Sequence, residues 1–399
     1  MAESILVIPL EGRLDSFTAP AIRREIERLR AAQEHEALVF EAKHLTYISS
    51  TGLRVIMQAI KAEQAQKHAP VSIIEVCKDV YGILEMTGLT ELIKVEKSYR
   101  EISLEGSRLI GKGFYGQVFQ IDEDTVVKLY ADGKASLPLM EREQALARKA
   151  FIRGIPTAIP YDIVRVGEQY GTMFELLQAR TFNDLVREYE QDRGKLEELM
   201  ALYVSCLKQV HATEMERGEL PLARDIMLER LPSLQEVLPI EIIARLQNLL
   251  KELPEDLHVV HRDFQMKNVM LCHGEPMLID METLCTGQPL FDLQALYVSY
   301  KAFKEDEPGN AMAFMGLHDE TQDYIWQRLL ELYFGTEDKG RLKALEDKIR
   351  VAAYIRFLYT LENTWHKGRA LTEVRIKNTR KQLQELLSRV ESLSLEEDS

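Results

Sequence analysis

Apolar residues in the first hundred positions alternate between short continuous runs and stretches with helical spacing. Residues 4–14 contain two strand-like runs, and residues 37–40 and 71–76 contain one each. Apolar residues three or four positions apart predict helices that begin near Thr18, as the N-cap, and near Leu53, followed by a short helix over residues 79–86. Strands that alternate with helices over about 100 residues predict a small α/β domain.

The pattern changes after a short polar segment at residues 97–106, which predicts a linker. Strand-like runs dominate from about 107 to 180, and helical spacing dominates from about 181 to 399. We therefore expect a first domain over residues 1–98 and a second, α+β domain over residues 107–399. Helices are predicted at residues 195–210, 240–250, 293–303, 321–334, 345–361 and 374–393.

A glycine-rich motif opens the second domain. Gly111, Gly113 and Gly116 are followed by Val118 in the pattern Gly-x-Gly-x-x-Gly-x-Val. Dinucleotide-binding folds share this spacing, but there a helix follows the glycines. Here a strand, a turn and another strand follow, which is the arrangement in kinases. The glycines would let backbone N–H groups approach phosphate oxygens.

Lys128 lies within the next strand, between apolar neighbours. A buried lysine is costly unless it is paired, so we expect it to contact a phosphate and a helix carboxylate. Glu143 on the following helix is the better candidate, and Glu141, two positions away on a different face, is the alternative. A further strand is predicted from Gly171 to Leu177, which includes Glu175, and it runs into a polar break. A kinase-like fold would place there the hinge that meets adenine.

The strongest candidate for catalysis is the stretch from His258 to Asp280. A short strand leads into His-Arg-Asp, ending at Asp263, and Asn268 follows in the same polar loop. Two further apolar runs, separated by a turn, form a predicted hairpin that ends at Asp280. The two carboxylates and the amide could therefore meet at one point and hold a divalent cation and a transferring phosphoryl group.

The amino-acid composition argues against some classes of function. The net charge of −14 argues against a nucleic-acid binder; it is compatible with a cationic substrate, although solubility is a simpler reason. No apolar run approaches a membrane span, and the four scattered cysteines are typical of a reduced, cytoplasmic protein. Acidic residues in the late helices could bind an amine or simply be solvated: Glu305, Asp306, Glu307, Asp319, Glu320 and Asp323.

Residues 107–365 resemble the aminoglycoside phosphotransferase and choline kinase group, which has a two-lobed protein-kinase-like fold with an antiparallel N-lobe sheet and a mostly helical C-lobe. The resemblance implies that Asp263 is the catalytic base and that Asn268 and Asp280 are magnesium ligands. It also implies that Lys128 binds phosphate and that Gly287 to Leu293 is a structural segment. Asp280 is followed by Met-Glu and not Phe-Gly, which favours a small-molecule acceptor over a protein. Arg262 stands where glycine is common in the group.

Residues 1–96 resemble the STAS domain of anti-sigma factor antagonists, most clearly in the segment TYISSTGLRVI. By position, Ser50 matches the serine that family members phosphorylate, and a phosphate there would face the N-terminus of a helix. Ser49 and Thr51 depart from the family pattern. Helix capping by Ser49 and Ser50 is therefore the alternative interpretation.

These patterns predict a phosphotransferase that uses ATP and Mg²⁺ to phosphorylate a hydroxyl group of a small molecule, with a regulatory STAS-like domain that could bind a protein partner. The alternative is a partner-switching regulator whose kinase lobe phosphorylates a protein serine, with Ser50 as a candidate, or only senses nucleotide.

Overall fold

A computed structural model describes residues 4–65, 71–112, 116–364 and 366–396. The chain divides into two compact units, residues 1–105 with 163–171 and residues 106–162 with 172–399. The strands Asp162–Val166 and Gln169–Glu175 straddle this division. Gly113, one of the predicted phosphate-binding glycines, lies outside the described residues.

The first unit is built on a four-stranded parallel sheet. Its strands, in spatial order, are Ile5–Leu14, Ala37–Ile48, Ser72–Val76 and Lys94–Lys97. The helices are Ala19–Ala32, Ser50–Ala65, Lys78–Met86 and Leu89–Leu92. Buried apolar residues from Leu6 to Ile93 form one core, so the predicted α/β architecture is confirmed. A further short strand, Arg100–Glu101, pairs in parallel with Asp162–Val166.

Two local predictions for this unit were wrong. The two runs before residue 14 form a single strand, whose irregular register lies between Pro9 and Arg13. Thr18 occupies the N-cap position but does not cap the helix through its side chain. Its hydroxyl instead donates to the carbonyl oxygen of Arg13 at 2.7 Å, because the preceding turn folds back over it.

The second unit begins with an antiparallel sheet. Arg108–Lys112 pairs with Gly116–Gln120, which pairs with Thr125–Tyr130, and Gln169–Glu175 lies beside that third strand. Gly116 is required at its position, because a Cβ atom there would lie 1.9 Å from the carbonyl oxygen of Leu129. The helix Leu137–Ile152 follows the three strands.

The rest of the second unit is mostly helical, which confirms the predicted kinase-like arrangement of a sheet followed by helices. Its helices are Phe182–Glu188, Arg193–His211, Ala223–Arg230, Ile240–Glu252, Leu290–Tyr297, Phe303–Glu305, Asn310–Met315, Asp319–Phe334, Lys339–Asn363 and Ala370–Leu387. Shorter helical turns are Gly133–Ser136, Leu231–Leu234 and Met281–Thr283, and Val298–Ala302 is π-helical. No helix in the described ranges is long and apolar enough to span a membrane.

Short strands among these helices carry the predicted catalytic stretch. Val259–Val260 pairs with Cys285–Thr286, and Val269–Cys272 forms a hairpin with Glu275–Leu278. Ala179–Thr181 pairs with the outer side of that hairpin. The hairpin therefore brings the residue before Val269 close to the residues after Leu278, which are Asn268 and the Ile279–Asp280 pair.

Candidate active site

A cavity of about 350 Å³ lies within the second unit and contains six of the eight predicted nucleotide-binding residues. These are Gly111, Gly116, Val118, Lys128, Glu175 and Leu177. The cavity is otherwise lined by Ile110, Val126, Ala158, Phe174, Leu176, Thr181, Met270, Ile279 and Asp280. Its apolar wall is suited to a flat base, and Lys128 and Asp280 give it a charged end.

One backbone N–H group of the predicted hinge is already hydrogen-bonded within the protein. The backbone N–H of Leu176 donates to the carbonyl oxygen of Asp124 at 2.7 Å, which fixes the strand end against the preceding turn. Glu175 and Leu177, on either side, line the cavity. Their backbone groups are therefore the hinge groups best placed to meet a base.

Lys128 is the centre of the charged end. Its ammonium nitrogen lies 2.5 Å from Asp280 Oδ1 and 3.4 Å from Glu143 Oε1, and its side chain is 15% exposed. Glu143 is buried and also accepts a hydrogen bond from Tyr130 at 2.7 Å, whereas Glu141 is partly exposed. Burial lowers the pKa of Lys128, but the charges of Glu143 and Asp280 outweigh burial and raise it above its usual value. The lysine is therefore charged at neutral pH.

Asp263 and Asn268 form a second polar pair. The amide nitrogen of Asn268 donates to Asp263 Oδ2 at 2.8 Å and to the carbonyl oxygen of Asp263 at 3.0 Å. Gln265 donates to the same carboxylate at 3.2 Å. The Asp263 side chain is 33% exposed, so one side of a well-oriented carboxylate remains accessible to a ligand.

The two polar pairs are joined by the hairpin. The N–H of Ile279 donates to the carbonyl oxygen of Asn268 at 3.0 Å, next to the ladder that pairs Val269 with Leu278. Asp280, the next residue, has a positive φ of 59°. Such a conformation is uncommon for a residue with a side chain and occurs often at functional sites. The hairpin thus aims Asp280 at Lys128 while it holds Asn268 beside Asp263.

Asp292 fixes the backbone of the predicted catalytic stretch at His261 and Arg262. It is fully buried, and its carboxylate accepts the N–H of His261 at 2.9 Å, the N–H of Arg262 at 2.5 Å and the ring nitrogen Nε2 of His211 at 2.9 Å. This contact gives a structural role to the segment from Gly287 to Leu293. Arg262 has a φ of 63°, which explains why glycine suits this position.

Glu282, which the sequence analysis did not select, lies near the charges of Lys128 and Asp280. Its Oε2 atom is buried and has no hydrogen-bond partner among the described residues. Burial raises the pKa of Glu282 to about 7, and the nearby charges of Glu143, Asp280 and Asp263 act in the same direction, against Lys128. The only sequence feature that could have pointed to Glu282 is its position between Met281 and Leu284, two residues after Asp280.

The donor set near the hairpin fits a hard divalent cation. Asn268, Asp280 and Glu282 offer oxygen atoms, and the unpaired oxygen of Glu282 is the kind of atom that a cation would satisfy. Within the described residues no three His, Cys, Asp or Glu side chains are already grouped as a metal site. Mg²⁺ usually takes one or two protein carboxylates together with waters and substrate phosphates.

Ser50, the predicted phosphorylation site, is exposed and is the first residue of the helix Ser50–Ala65. The neighbouring Ser49 accepts the N–H of Gly52 at 3.4 Å through its hydroxyl. The cap contact is therefore made by Ser49. Gly52 cannot be replaced easily, because a Cβ atom there would lie 2.3 Å from the carbonyl oxygen of Leu14.

Both parts of the chain are similar to known protein families. Residues 2–102 match the family model of the STAS domain. A curated relative, the anti-sigma F factor antagonist of Paenibacillus polymyxa, is 28% identical over 91 residues, which cover 23% of this chain and 77% of that protein.

Solved structures with similarity to this chain include a choline/ethanolamine kinase family protein from Mesorhizobium loti, with 16% identity and a TM-score of 0.47 over 71% of this chain and 91% of that chain. An aminoglycoside phosphotransferase, APH(3'')-Id from Streptomyces rimosus, has 14% identity and a TM-score of 0.35 over 64% of this chain and 98% of that chain. Residues 107–332 match the family model of phosphotransferase enzymes, and the chain therefore belongs to the phosphotransferase enzyme family.

Proposed function

We propose that the protein transfers the γ-phosphoryl group of ATP to a hydroxyl group of a small molecule, in a reaction that requires Mg²⁺. The observation that carries this proposal is the pairing of Lys128 with Asp280 at the charged end of an apolar cavity, next to the pair formed by Asp263 and Asn268. A phosphoryl-transfer site needs these parts: a base pocket, a phosphate-binding cation, metal ligands and a group that orients the acceptor.

The residues of the site divide into phosphate-binding, acceptor-orienting and metal-binding groups. Lys128, held by Glu143, binds phosphate oxygens, and the glycines Gly111, Gly113 and Gly116 cover them with backbone N–H groups. Asp263 orients the acceptor hydroxyl and accepts its proton, and Asn268 fixes the carboxylate.

Asn268 and Asp280 would hold the metal, with Glu282 as an additional donor. When bound, Mg²⁺ would neutralise charge on the phosphate oxygens. Asp280 suits this role, because its carboxylate, which pairs with Lys128, is exposed at the charged end of the cavity.

The test is ADP formation by the full-length protein with ATP, Mg²⁺ and a panel of hydroxyl compounds. Asp263→Asn keeps the shape of the side chain but cannot accept a proton, so turnover should fall by about 100- to 10,000-fold. Asp225→Asn, which changes an exposed aspartate of the same unit, should leave turnover unchanged. Near-normal turnover by the Asp263 variant would refute the assigned role.

A second candidate function is supported by the STAS match and by the exposure of Ser50 at a helix start. In this function the kinase-like domain phosphorylates a protein serine, with Ser50 as a candidate, or only senses nucleotide. Mapping of phosphate on the protein after incubation with ATP and Mg²⁺ distinguishes it from transfer to a metabolite.

We also propose that residues 1–98 and 107–399 are the two domains. The core of the first unit, which runs from Leu6 to Ile93, lies entirely within the first of these ranges.

A further inference from the structure

We propose that the acceptor of this phosphotransferase is an anionic hydroxyl compound, and that Arg356 binds its carboxylate or phosphate group beside Asp263. The inference rests on the proposed function and deepens it, because it names the chemical class of the acceptor. The negative net charge of the chain would instead favour a cationic acceptor.

Arg356 comes from the helix Lys339–Asn363, far from the catalytic loop in sequence. One of its guanidinium nitrogens, Nη2, lies 3.9 Å from Asp263 Oδ1, and its side chain is only 20% exposed. An arginine held this close to the proposed base stands where an acceptor must bind, because the acceptor hydroxyl has to reach the same carboxylate.

The guanidinium group of Arg356 is not used by the fold. The 3.9 Å ion pair with Asp263 is longer than a hydrogen bond, and the guanidinium group of Arg356 makes no hydrogen bond to any residue in the described ranges. Guanidinium offers five donors in a planar fork that matches carboxylate and phosphate. A mostly buried arginine with these donors unfilled is prepared for an anionic ligand.

The surroundings of Arg356 add positive charge. Burial lowers the pKa of Arg356 to about 10, and the positive charges of Arg262 and Arg230 act in the same direction, against the negative charges of Asp263 and Asp292. Arg262 is buried, its guanidinium nitrogen Nε has no partner among the described residues, and its Nη1 atom donates only to the sulfur of Cys285. Arg230 lies over the ring of Tyr359. Three arginines therefore lie near one another, and Asp263 and Asp292 are the opposing charges.

At least four of the six acidic residues considered for binding an amine already have partners within the fold. Glu307 pairs with Arg375 at 2.6 Å, and Asp323 pairs with Lys301 at 2.6 Å. Glu305 accepts a hydrogen bond from Tyr297 at 2.5 Å, and Asp319 accepts the N–H of Gly309 at 3.0 Å. These partners reduce the negative charge and the number of acceptor atoms that the region could offer to a cationic acceptor.

An anion bound to Arg356 would fix the position of the acceptor hydroxyl. The hydroxyl oxygen then forms the new bond to the γ-phosphorus, the bond from that phosphorus to the oxygen bridging to ADP breaks, and the hydroxyl proton passes to Asp263. Binding energy from the anion, which does not react, would thus orient the reacting group.

The same guanidinium chemistry could instead serve the γ-phosphate of the nucleotide, so the experiment must separate these two sources of anion. Calorimetric titrations use the full-length protein with Mg²⁺ and a saturating non-hydrolysable ATP analogue. The probes are glycerol 3-phosphate, glycerate, glycerol and choline, which share a hydroxyl group and differ in charge.

We expect at least one of the two anionic probes to bind the wild-type protein at least about tenfold more tightly than glycerol or choline. Arg356→Met should remove this preference while the affinity for the ATP analogue changes by less than about twofold. Arg356→Lys, which keeps the charge but loses the fork, should retain part of the preference. Lys343→Met removes a positive charge about 20 Å away along the same helix and should behave like the wild type.

Three results would overturn the proposal: no preference for anions in the wild-type protein, an undiminished preference in Arg356→Met, or an equal loss of affinity for the ATP analogue. The last result would assign Arg356 to the nucleotide. Because binding is measured without turnover, these outcomes are independent of the Asp263→Asn test. Even if the protein phosphorylates none of the acceptors, the titrations still decide whether it prefers anions.

Discussion

The ammonium nitrogen of Lys128 lies 2.5 Å from Asp280 Oδ1, although the two residues are 152 positions apart in the sequence. One comes from the sheet that follows the glycine loop, and the other from the end of the catalytic hairpin. The contact therefore joins the proposed phosphate-binding lysine and the proposed metal ligand, and it places both at one end of the same cavity.

Replacing Asp280 with alanine should weaken magnesium-dependent binding of ATP. The change removes a charged oxygen ligand from the proposed cation site, while Lys128 keeps its contact with Glu143. We expect the tightening of ATP binding by Mg²⁺ to fall at least about tenfold, which corresponds to about 1.4 kcal/mol. Calorimetry with and without Mg²⁺ measures it, and Asp225→Ala is the control. If Mg²⁺ tightens ATP binding equally in the Asp280 variant, Asp280 is not a metal ligand.

Tyr300 should be a positioning residue for the catalytic loop. Its hydroxyl accepts the N–H of Met266 at 3.1 Å and lies 3.4 Å from the hydroxyl of Tyr203, which donates to the carbonyl oxygen of Phe264. Tyr300 lies in the π-helical turn Val298–Ala302, a local geometry that is frequent near functional sites.

Tyr300→Phe leaves the N–H of Met266 without an acceptor, which should cost about 1–3 kcal/mol of stability. Because the loop carries Asp263 and Asn268, we also expect kcat to fall with little change in KM for ATP. Tyr324→Phe, which removes a hydroxyl bonded to Glu197, is the matched control and should lose stability only. Equal kcat values in both variants and the wild type would show that Tyr300 is purely structural.

The residues of the cavity and the hairpin could be predicted because each has a local signal. Glycine spacing, an apolar strand around Lys128 and the interval from Asp263 to Asn268 are all visible over short stretches of sequence. The strand limits of Val269–Cys272 agree with the predicted apolar run, because a turn at Gly274 ends it.

Arg356 could not be predicted in this way. It is one of many charged residues in a long helical pattern, and only tertiary packing brings it to Asp263. The sequence also could not show that Ser49, and not Ser50, makes the cap contact, because this depends on which hydroxyl faces the N–H of Gly52. Local patterns thus predict the residues of the proposed nucleotide site better than those of the proposed acceptor site.

Asp292→Asn should destabilise the second unit strongly. It removes a buried charge that accepts two backbone N–H groups and contacts His211, and loss of one member of a buried pair typically costs about 3–5 kcal/mol. Burial raises the pKa of Asp292, but the hydrogen bond from His211 and the nearby charges outweigh it and lower the pKa below 3.8. The stabilisation is therefore present above that pH and is lost as pH falls through the folded-state pKa.

Urea unfolding at several pH values measures this effect. The difference in unfolding free energy between wild type and Asp292→Asn should stay constant while Asp292 is ionised in both the folded and the unfolded state, and shrink in more acidic solution. The exposed variant Asp225→Asn should lie within about 0.5 kcal/mol of the wild type. A small, pH-independent loss in Asp292→Asn would contradict the role given to this carboxylate.

The last prediction concerns Ser50 as a regulatory site. Ser49 makes the cap contact, so Ser49→Ala should cost about 1 kcal/mol of stability, whereas Ser50→Ala should cost less than about 0.5 kcal/mol. Ser50→Asp places a negative charge at a helix N-terminus, where it is electrostatically favourable, and imitates part of the charge of a phosphate. If the STAS domain regulates the phosphotransferase, Ser50→Asp should change ATP turnover, and Ser50→Ala should not. Turnover and thermal unfolding of the three full-length variants test both expectations, and equal turnover in all of them would leave Ser50 as an exposed helix residue without a regulatory role.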